Sequence, residues 1–189
     1  MNDTAEKVRF DLASGTVRAT GGERLVLMPC SALEELGKSA GVDVACALGH
    51  AMGAAFGKAV ADRLGSSDAV QASSLETVVT ELGSELAVAG WGAVGLERWG
   101  RAMVMVVDHS PFTEQRFVAA ILQGALGAAT GKDVQCWPLG GGASSGSTES
   151  VRVLVSGERG IGRAREWLAQ GVSWGDVLVR LQANDGGQA

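Results

Sequence analysis

The side chains of this 189-residue chain that could do acid–base, nucleophilic or metal chemistry are few and scattered. Its two histidines, His50 and His109, lie far apart, and neither has the partners of a zinc site at the usual spacing. Each reads as a hydrogen-bonded structural residue, although His109, at the end of an apolar strand, is the better placed to face a pocket. Cys30, Cys46 and Cys136 are odd in number and none belongs to a C-x-x-C pair, so they read as small apolar residues rather than disulfides or a zinc knuckle. A serine nucleophile would need an oxyanion site and a base, and there is no G-x-S-x-G elbow. The stretch Gly157-Glu158-Arg159-Gly160-Ile161-Gly162 follows a strand and opens a helix, as phosphate loops do. Its glycine order is nevertheless the reverse of G-x-G-x-x-G, and Glu158 would repel a phosphate, so it reads as an ordinary turn. No catalytic residue, metal or cofactor is therefore expected.

What remains is aromatic. Five tryptophans without a tyrosine is an unusual mix. Trp91, Trp99, Phe112, Phe117 and Trp137 fall at element ends, where together with His109 they suit an apolar ligand pocket as well as a core.

These residues must be positioned by one domain, because 189 residues with 46% hydrophobic and 20% charged side chains match an ordinary globular unit. A net charge of −5 leaves no general attraction for nucleic acid. The N-terminus lacks a basic head before an apolar run, and no stretch reads as approaching the ~20 apolar residues of a bilayer span. A cytoplasmic protein without a membrane span is the expectation.

Alternation over residues 7–20 predicts a β-hairpin, and Leu25 to Met28 a further short strand. Ser31 is placed to cap a short helix that Gly37 to Gly41 interrupts. Helices are then expected over Val42 to Leu64, from a Ser73/Glu76 capping box to about Ala89, and from Thr113 to Gly131, with a polar break over Gly65 to Ser74. The run Ala102 to Val107 is nearly all apolar, as in a central strand covered on both faces. Val134 to Leu139 and Val151 to Val155 form another strand pair around a mobile linker, GGGASSGSTES, before two closing helices, the last capped by Ser173 with Asp176. The chain is thus read as α+β: an antiparallel sheet of about four strands packed against a helical layer, with an N-terminal hairpin. Residues 1–22 form the hairpin, 23–182 the single domain and 183–189 a disordered tail.

The 42–64 helix carries the most informative pattern. Gly41, Ala45, Gly49, Gly53, Gly57 and Ala61 form a row of small residues at spacing four, beside Leu48, Met52, Phe56, Val60 and Leu64. Glycine inside a helix costs ~1 kcal/mol relative to alanine, so the row implies that another backbone comes very close. That backbone belongs either to this fold or to a second subunit, and Gly49, Gly53, Phe56, Gly57 and Val60 are the candidate interface residues for a homodimer.

The order of several weak motifs resembles the 4-vinyl-reductase domain family, whose fold is shared with TRAPP vesicle-tethering subunits. Those motifs are Glu23-Arg24-Leu25-Val26-Leu27-Met28-Pro29, Gly90-Trp91-Gly92, Asp108-His109-Ser110-Pro111-Phe112, ILQGALGAATG, Val151-Arg152-Val153-Leu154-Val155 and REWLAQGVSWGDVLVRL. The resemblance covers roughly residues 23 to 182 and implies a dimeric fold with an apolar cavity between helices and sheet. Phenol-sensing relatives hold zinc through cysteines near the last strand pair. The corresponding positions here are Leu139 or Gly140 and Val151, with Cys136 out of register. A shorter segment, ELAVAGWGAVGLERWGRAMVMVVDHSP, is similar to the middle of a bacterial cellulose synthase accessory protein, which implies a ring-forming accessory subunit of a cellulose synthesis and export complex. A tetrapyrrole vinyl reductase accessory protein is the third possibility the resemblance opens. The leading expectation is a non-catalytic ligand-sensing or scaffold domain that dimerises and holds an apolar small molecule, an acyl chain or a protein partner.

Overall fold

Alternating side chains pair the first two strands, β1 (Val8–Asp11) and β2 (Thr16–Ala19), with Phe10 opposite Val17. β3 (Arg24–Leu25) joins them to make a small antiparallel sheet. The computed structural model describes residues 7–19, 22, 24–100, 102–140 and 150–185. Most of the linker after Gly140 and residues 186–189 of the tail lie outside the described residues, as does Glu23 of the first motif.

β3 ends sooner than the apolar run suggests, and residues 26–29 have no regular structure before α1 (Cys30–Ala40). Pro29 stands at the N-cap of α1, which has no side-chain cap, so Ser31 does not play the expected part. Gly37 lies inside α1, and the break falls at Gly41, whose φ of 88° an L side chain rarely adopts. α2 (Val42–Leu64) has the expected bounds. α3 (Ser67–Ala72), capped by Ser66, occupies what reads in sequence as a polar break. Ser74 rather than Ser73 caps α4 (Leu75–Val88), accepting from the Thr77 amide at 3.1 Å. Likewise Glu114 rather than Thr113 caps α5 (Gln115–Thr130), which stops at left-handed Gly131.

The main sheet is antiparallel in the order β4 (Ala93–Trp99), β5 (Ala102–Asp108), β7 (Ser150–Ser156) and β6 (Gln135–Pro138). Because side chains alternate across a strand, the apolar run of β5 serves both faces. Met105 pairs with Val153 beneath α2, α4 and α5, whereas Val104 pairs with Leu154 beneath α6 (Glu158–Ala169) and α7 (Trp174–Asp185). Helices therefore cover both faces of the sheet, the larger layer on one side. α7 begins at its Ser173 cap and stays helical to Asp185, three residues into the expected tail.

α2 and α5 meet backbone to backbone. A Cβ on Gly53 would lie 1.9 Å from the Ile121 carbonyl oxygen, one on Gly57 2.0 Å from that of Ala125, and one on Gly124 2.0 Å from that of His50. The small row thus resolves to packing within the fold. Gly49, Gly53, Gly57 and Val60, candidates for an interface between subunits, are buried against the same chain. α2 is also long and apolar enough to cross a bilayer by length and composition, contrary to the sequence expectation. Its charged residues Asp43, Lys58, Asp62 and Arg63 are exposed, and Arg63 pairs with Glu81 and Glu85 of α4.

Candidate functional site

Glycine geometry sets the first aromatic residue in place. Gly90 and Gly92 have φ of 76° and 104°, and a Cβ on Gly92 would strike the Asp108 carbonyl oxygen at 2.4 Å. Between them, Trp91 donates its amide to Leu86 and turns its indole into the core. On the far side of β5 the chain turns through His109, the one non-glycine residue with positive φ among those described, and delivers Phe112 beneath the start of α5.

The result is a chain of edge-to-face rings. Phe56 meets Trp91 at 5.1 Å, Trp91 meets Phe112 at 5.6 Å, and Phe112 meets Phe117 at 4.9 Å between centroids. Such pairs are favoured by the ring quadrupoles and add ~0.5–1.5 kcal/mol each beyond area burial. Phe56, half-buried, is the outer end of this aromatic chain.

The rings separate two spaces. Outside them, between α1, α2 and the entry to α5, lies a cleft of about 350 Å³. Its floor is Ala45, Phe112 and Phe117, all buried, and its mouth is formed by the exposed Leu36, Val44 and Leu48. Inside, behind Phe112, lies a void of about 10 Å³ bounded by Leu86, Trp91, Val107, Val118, Ile121 and Leu122. A void that small, with a wall that is almost wholly apolar, offers too few polar partners to hold a water.

One polar arrangement borders the cleft. The Glu34 carboxylate on α1 accepts from the Thr113 amide at 3.1 Å and from the Thr113 hydroxyl at 3.0 Å through the same oxygen, Oε1. These two bonds, with Lys38 nearby, hold the carboxyl below its usual range, so it is ionised at neutral pH. An ionised carboxylate offers about four acceptor sites, which leaves capacity for a hydroxyl donor in the cleft.

Other expected site residues lie elsewhere. Trp99 is 41% exposed, stacks edge-on against Trp174 at 5.6 Å and donates its Nε1–H to Glu97. Trp137 faces the smaller helical layer, with the Arg165 guanidinium 4.3 Å from its ring centroid. His109 is exposed and lines neither the cleft nor the void. Trp91, Phe112 and Phe117 are the three that the fold brings together. Leu33, Leu36, Val44 and Leu48 complete the cleft, and sequence reasoning missed them because an apolar stripe on a helix signals burial in general, not which neighbour it faces.

Among the described residues, no group of three or more His, Cys, Asp or Glu side chains is placed to hold a metal ion. Of the positions that the resemblance sets against zinc-holding cysteines, Leu139 and Val151 are buried apolar residues and Gly140 is exposed. Cys46 stands one turn before His50 on α2, but burial raises its thiol pKa, which opposes the thiolate a nucleophile needs.

Cys136 is buried, and that burial alone pushes its thiol up to about 12 from 9.0. Because the folded value is the higher, its contribution to stability is complete below pH 9 and is lost as pH climbs toward 12, by up to about 1.4 kcal/mol per pH unit. Thiol labelling of the native protein is expected to modify exposed Cys30 first, half-buried Cys46 more slowly, and Cys136 only on unfolding. Labelling of Cys136 at the rate of Cys30 would contradict that order.

A scan against family models and a search of curated proteins return no match. Among solved structures, the chain is similar to the phenol-responsive sensory domain of the transcription activator PoxR, a crystal structure with phenol. The TM-score is 0.60 at 17% identity, over 88% of this chain and 92% of that one. At that identity the likeness establishes the fold.

Proposed function

We propose that this chain is a non-catalytic small-molecule-sensing domain that acts as a homodimer and holds an aromatic alcohol in the cleft between α1 and α2. The observation that carries this reading is the apolar cleft of about 350 Å³, floored by Phe112 and Phe117 and bordered by the Glu34 carboxylate. Its volume falls at the small end of ordinary ligand sites, which suits one to three rings. The fold shared with a phenol-responsive sensory domain supports the same reading.

Energetics favour a hydroxylated ligand. Burying a single ring, about 150 Å² of apolar surface, contributes about 4 kcal/mol before the cost of association, too little for tight binding. A hydrogen bond to a charged acceptor adds about 1.5–3 kcal/mol. Discrimination between phenol and toluene should therefore be about tenfold or more.

The test is displacement of N-phenyl-1-naphthylamine, a neutral fluorescent dye, from the purified protein. Dye fluorescence is expected to rise on binding and to fall as phenol is added, with toluene about tenfold weaker. Glu34→Gln, which keeps an acceptor oxygen but removes the charge, is expected to reduce the preference for phenol to a few-fold while leaving toluene unchanged. No dye binding, or equal affinity for phenol and toluene in the native protein, would remove the basis for this reading.

A further inference from the structure

Of the helices that line the cleft, α1 is the least anchored. It buries no residue and has no side-chain cap at its start. Leu33 packs against the core while only partly buried, and a Cβ on Gly37 would meet that of Ala45 at 3.4 Å, an ordinary contact. An eleven-residue helix with so little burial is marginal, because helical stability in proteins comes mostly from the packing of one face. Across the cleft, α5 buries such a face over residues 117–129.

Both joints of α1 are free to turn. Gly41 is at once the C-cap of α1 and the N-cap of α2, and a Cβ there would meet nothing within 4 Å. At the other end, residues 26–29 are exposed and have no regular structure. Beyond them the small N-terminal sheet has its own tie to the body, since Lys7, beside β1, donates to Ser84 and pairs with Glu85 of α4. α1 is therefore strung between two fixed points. Across the cleft it is tied by the two hydrogen bonds that Thr113 donates to Glu34.

The same helix is one wall of the cleft, through Leu33, Glu34, Leu36 and Lys38, while α2 and the entry to α5 form the other. We infer that α1 is the ligand-responsive strap of this domain, exchanging between a docked and a lifted position about Gly41 and residues 26–29, and that the ligand clamps it down. The clamping rests on the ligand reading above; the exchange itself is argued from burial.

A ligand shifts an equilibrium only by its difference in affinity for the two states. Here the difference is large, because the lifted state has lost one wall of the cleft. Glu34 joins the two events. Its Oε1 holds the tie to Thr113, and its remaining acceptor sites take a ligand hydroxyl whose ring rests on Phe112 and Phe117. An alcohol thus bridges strap and floor, and movement of α1 is handed through residues 26–29 to β3.

Hydrogen exchange of the full chain, read by mass spectrometry with and without phenol, tests this, with dye displacement under the same conditions to report occupancy. In the free chain, α1 amides are expected to exchange at least about tenfold faster than those of residues 49–60 in α2. Phenol at about ten times its dissociation constant is expected to slow α1 about tenfold, the factor mass action sets for a ligand that binds the docked state alone. Exchange in α2 and α5 should not change. Thr113→Val keeps the side-chain shape but removes the hydroxyl bond to Glu34, and is expected to speed α1 exchange about fivefold without ligand. Free-chain exchange in α1 as slow as in α2 overturns the strap. Phenol that displaces the dye without slowing α1, or that slows α1, α2 and α5 equally, overturns the clamping. Absence of dye displacement removes the ligand reading instead, and the free-chain comparison with Thr113→Val then decides the strap by itself.

Discussion

Gly53→Ala is expected to lower the melting temperature by about 6–12 °C, while Gly162→Ala raises it by about 2 °C. The two glycines are both helical, and intrinsic propensity favours alanine at each by up to about 1 kcal/mol. Gly162 on α6 has nothing within 4 Å of the new methyl group, so the propensity gain is realised in full. At Gly53 the same methyl would sit 1.9 Å from the Ile121 carbonyl oxygen, with the Ile121 carbonyl carbon at 2.8 Å. Neither atom can rotate away, because both are backbone in the middle of α5. The helices must separate, and every contact along their interface loosens, at a net cost of about 3 kcal/mol or more. For a chain of this length, each kcal/mol shifts the melting temperature by about 2–4 °C. Gly124→Ala, which meets the His50 carbonyl from the opposite helix, is expected to cost a similar amount alone and less when added to Gly53→Ala, since the helices have then already parted. Calorimetry of the three variants and the double mutant checks this; equal melting temperatures for Gly53→Ala and Gly162→Ala would mean that α2 and α5 are not in backbone contact.

The second large effect is at Phe112. Truncation to alanine removes a ring that is buried and packed edge-on against both Trp91 and Phe117, at an expected cost of about 3–5 kcal/mol. It also removes the wall between the cleft and the internal void, since Phe112 lines both. Phe112→Leu is the variant to use for binding, because it keeps most of the apolar volume and costs less. It is expected to weaken phenol about tenfold through loss of the ring floor, and to favour two-ring alcohols such as naphthol, which reach toward Trp91. Titrations of both ligands, followed by Trp91 emission against a Trp91→Phe background, check the change in preference. Unchanged selectivity would place the bound ring away from Phe112.

Much of the fold is legible because its signals are local. The bounds of α2, the central position of β5 and the stop at Gly131 follow from periodicity, an uninterrupted apolar run and left-handed glycine. Sequence and structure part where two residues of one type compete, as at Ser73 and Ser74, where Ser74 has the reach to the Thr77 amide while the Ser73 hydroxyl turns back to the Ala69 carbonyl. Thr113 reads as a cap because its hydroxyl is of the right type, but that hydroxyl is engaged by Glu34, seventy-nine positions earlier. The small row on α2 tells that a backbone approaches and cannot tell whose, since the packing chemistry within and between chains is the same. The aromatic set is half legible: glycines flanking Trp91 and the turn before Phe112 mark them as fixed in place, whereas Trp99 and Trp137 carry no sign in sequence of which face of the sheet they serve. Glu34 and Leu36 are invisible as site residues because their role depends on α1 lying across α2, which is a tertiary fact.

Whether the α1–α2 cleft receives the ligand is tested most directly by methyl nuclear magnetic resonance of the 19.3 kDa chain. On addition of phenol, the methyl groups of Leu33, Leu36, Val44, Ala45 and Leu48 are expected to shift in a saturable manner, with nuclear Overhauser contacts to the phenol ring, while Leu178 and Val177 beneath the smaller helical layer stay unmoved. Saturable shifts confined to the layer around Leu178 and Trp174, with the cleft methyls unchanged, would contradict it.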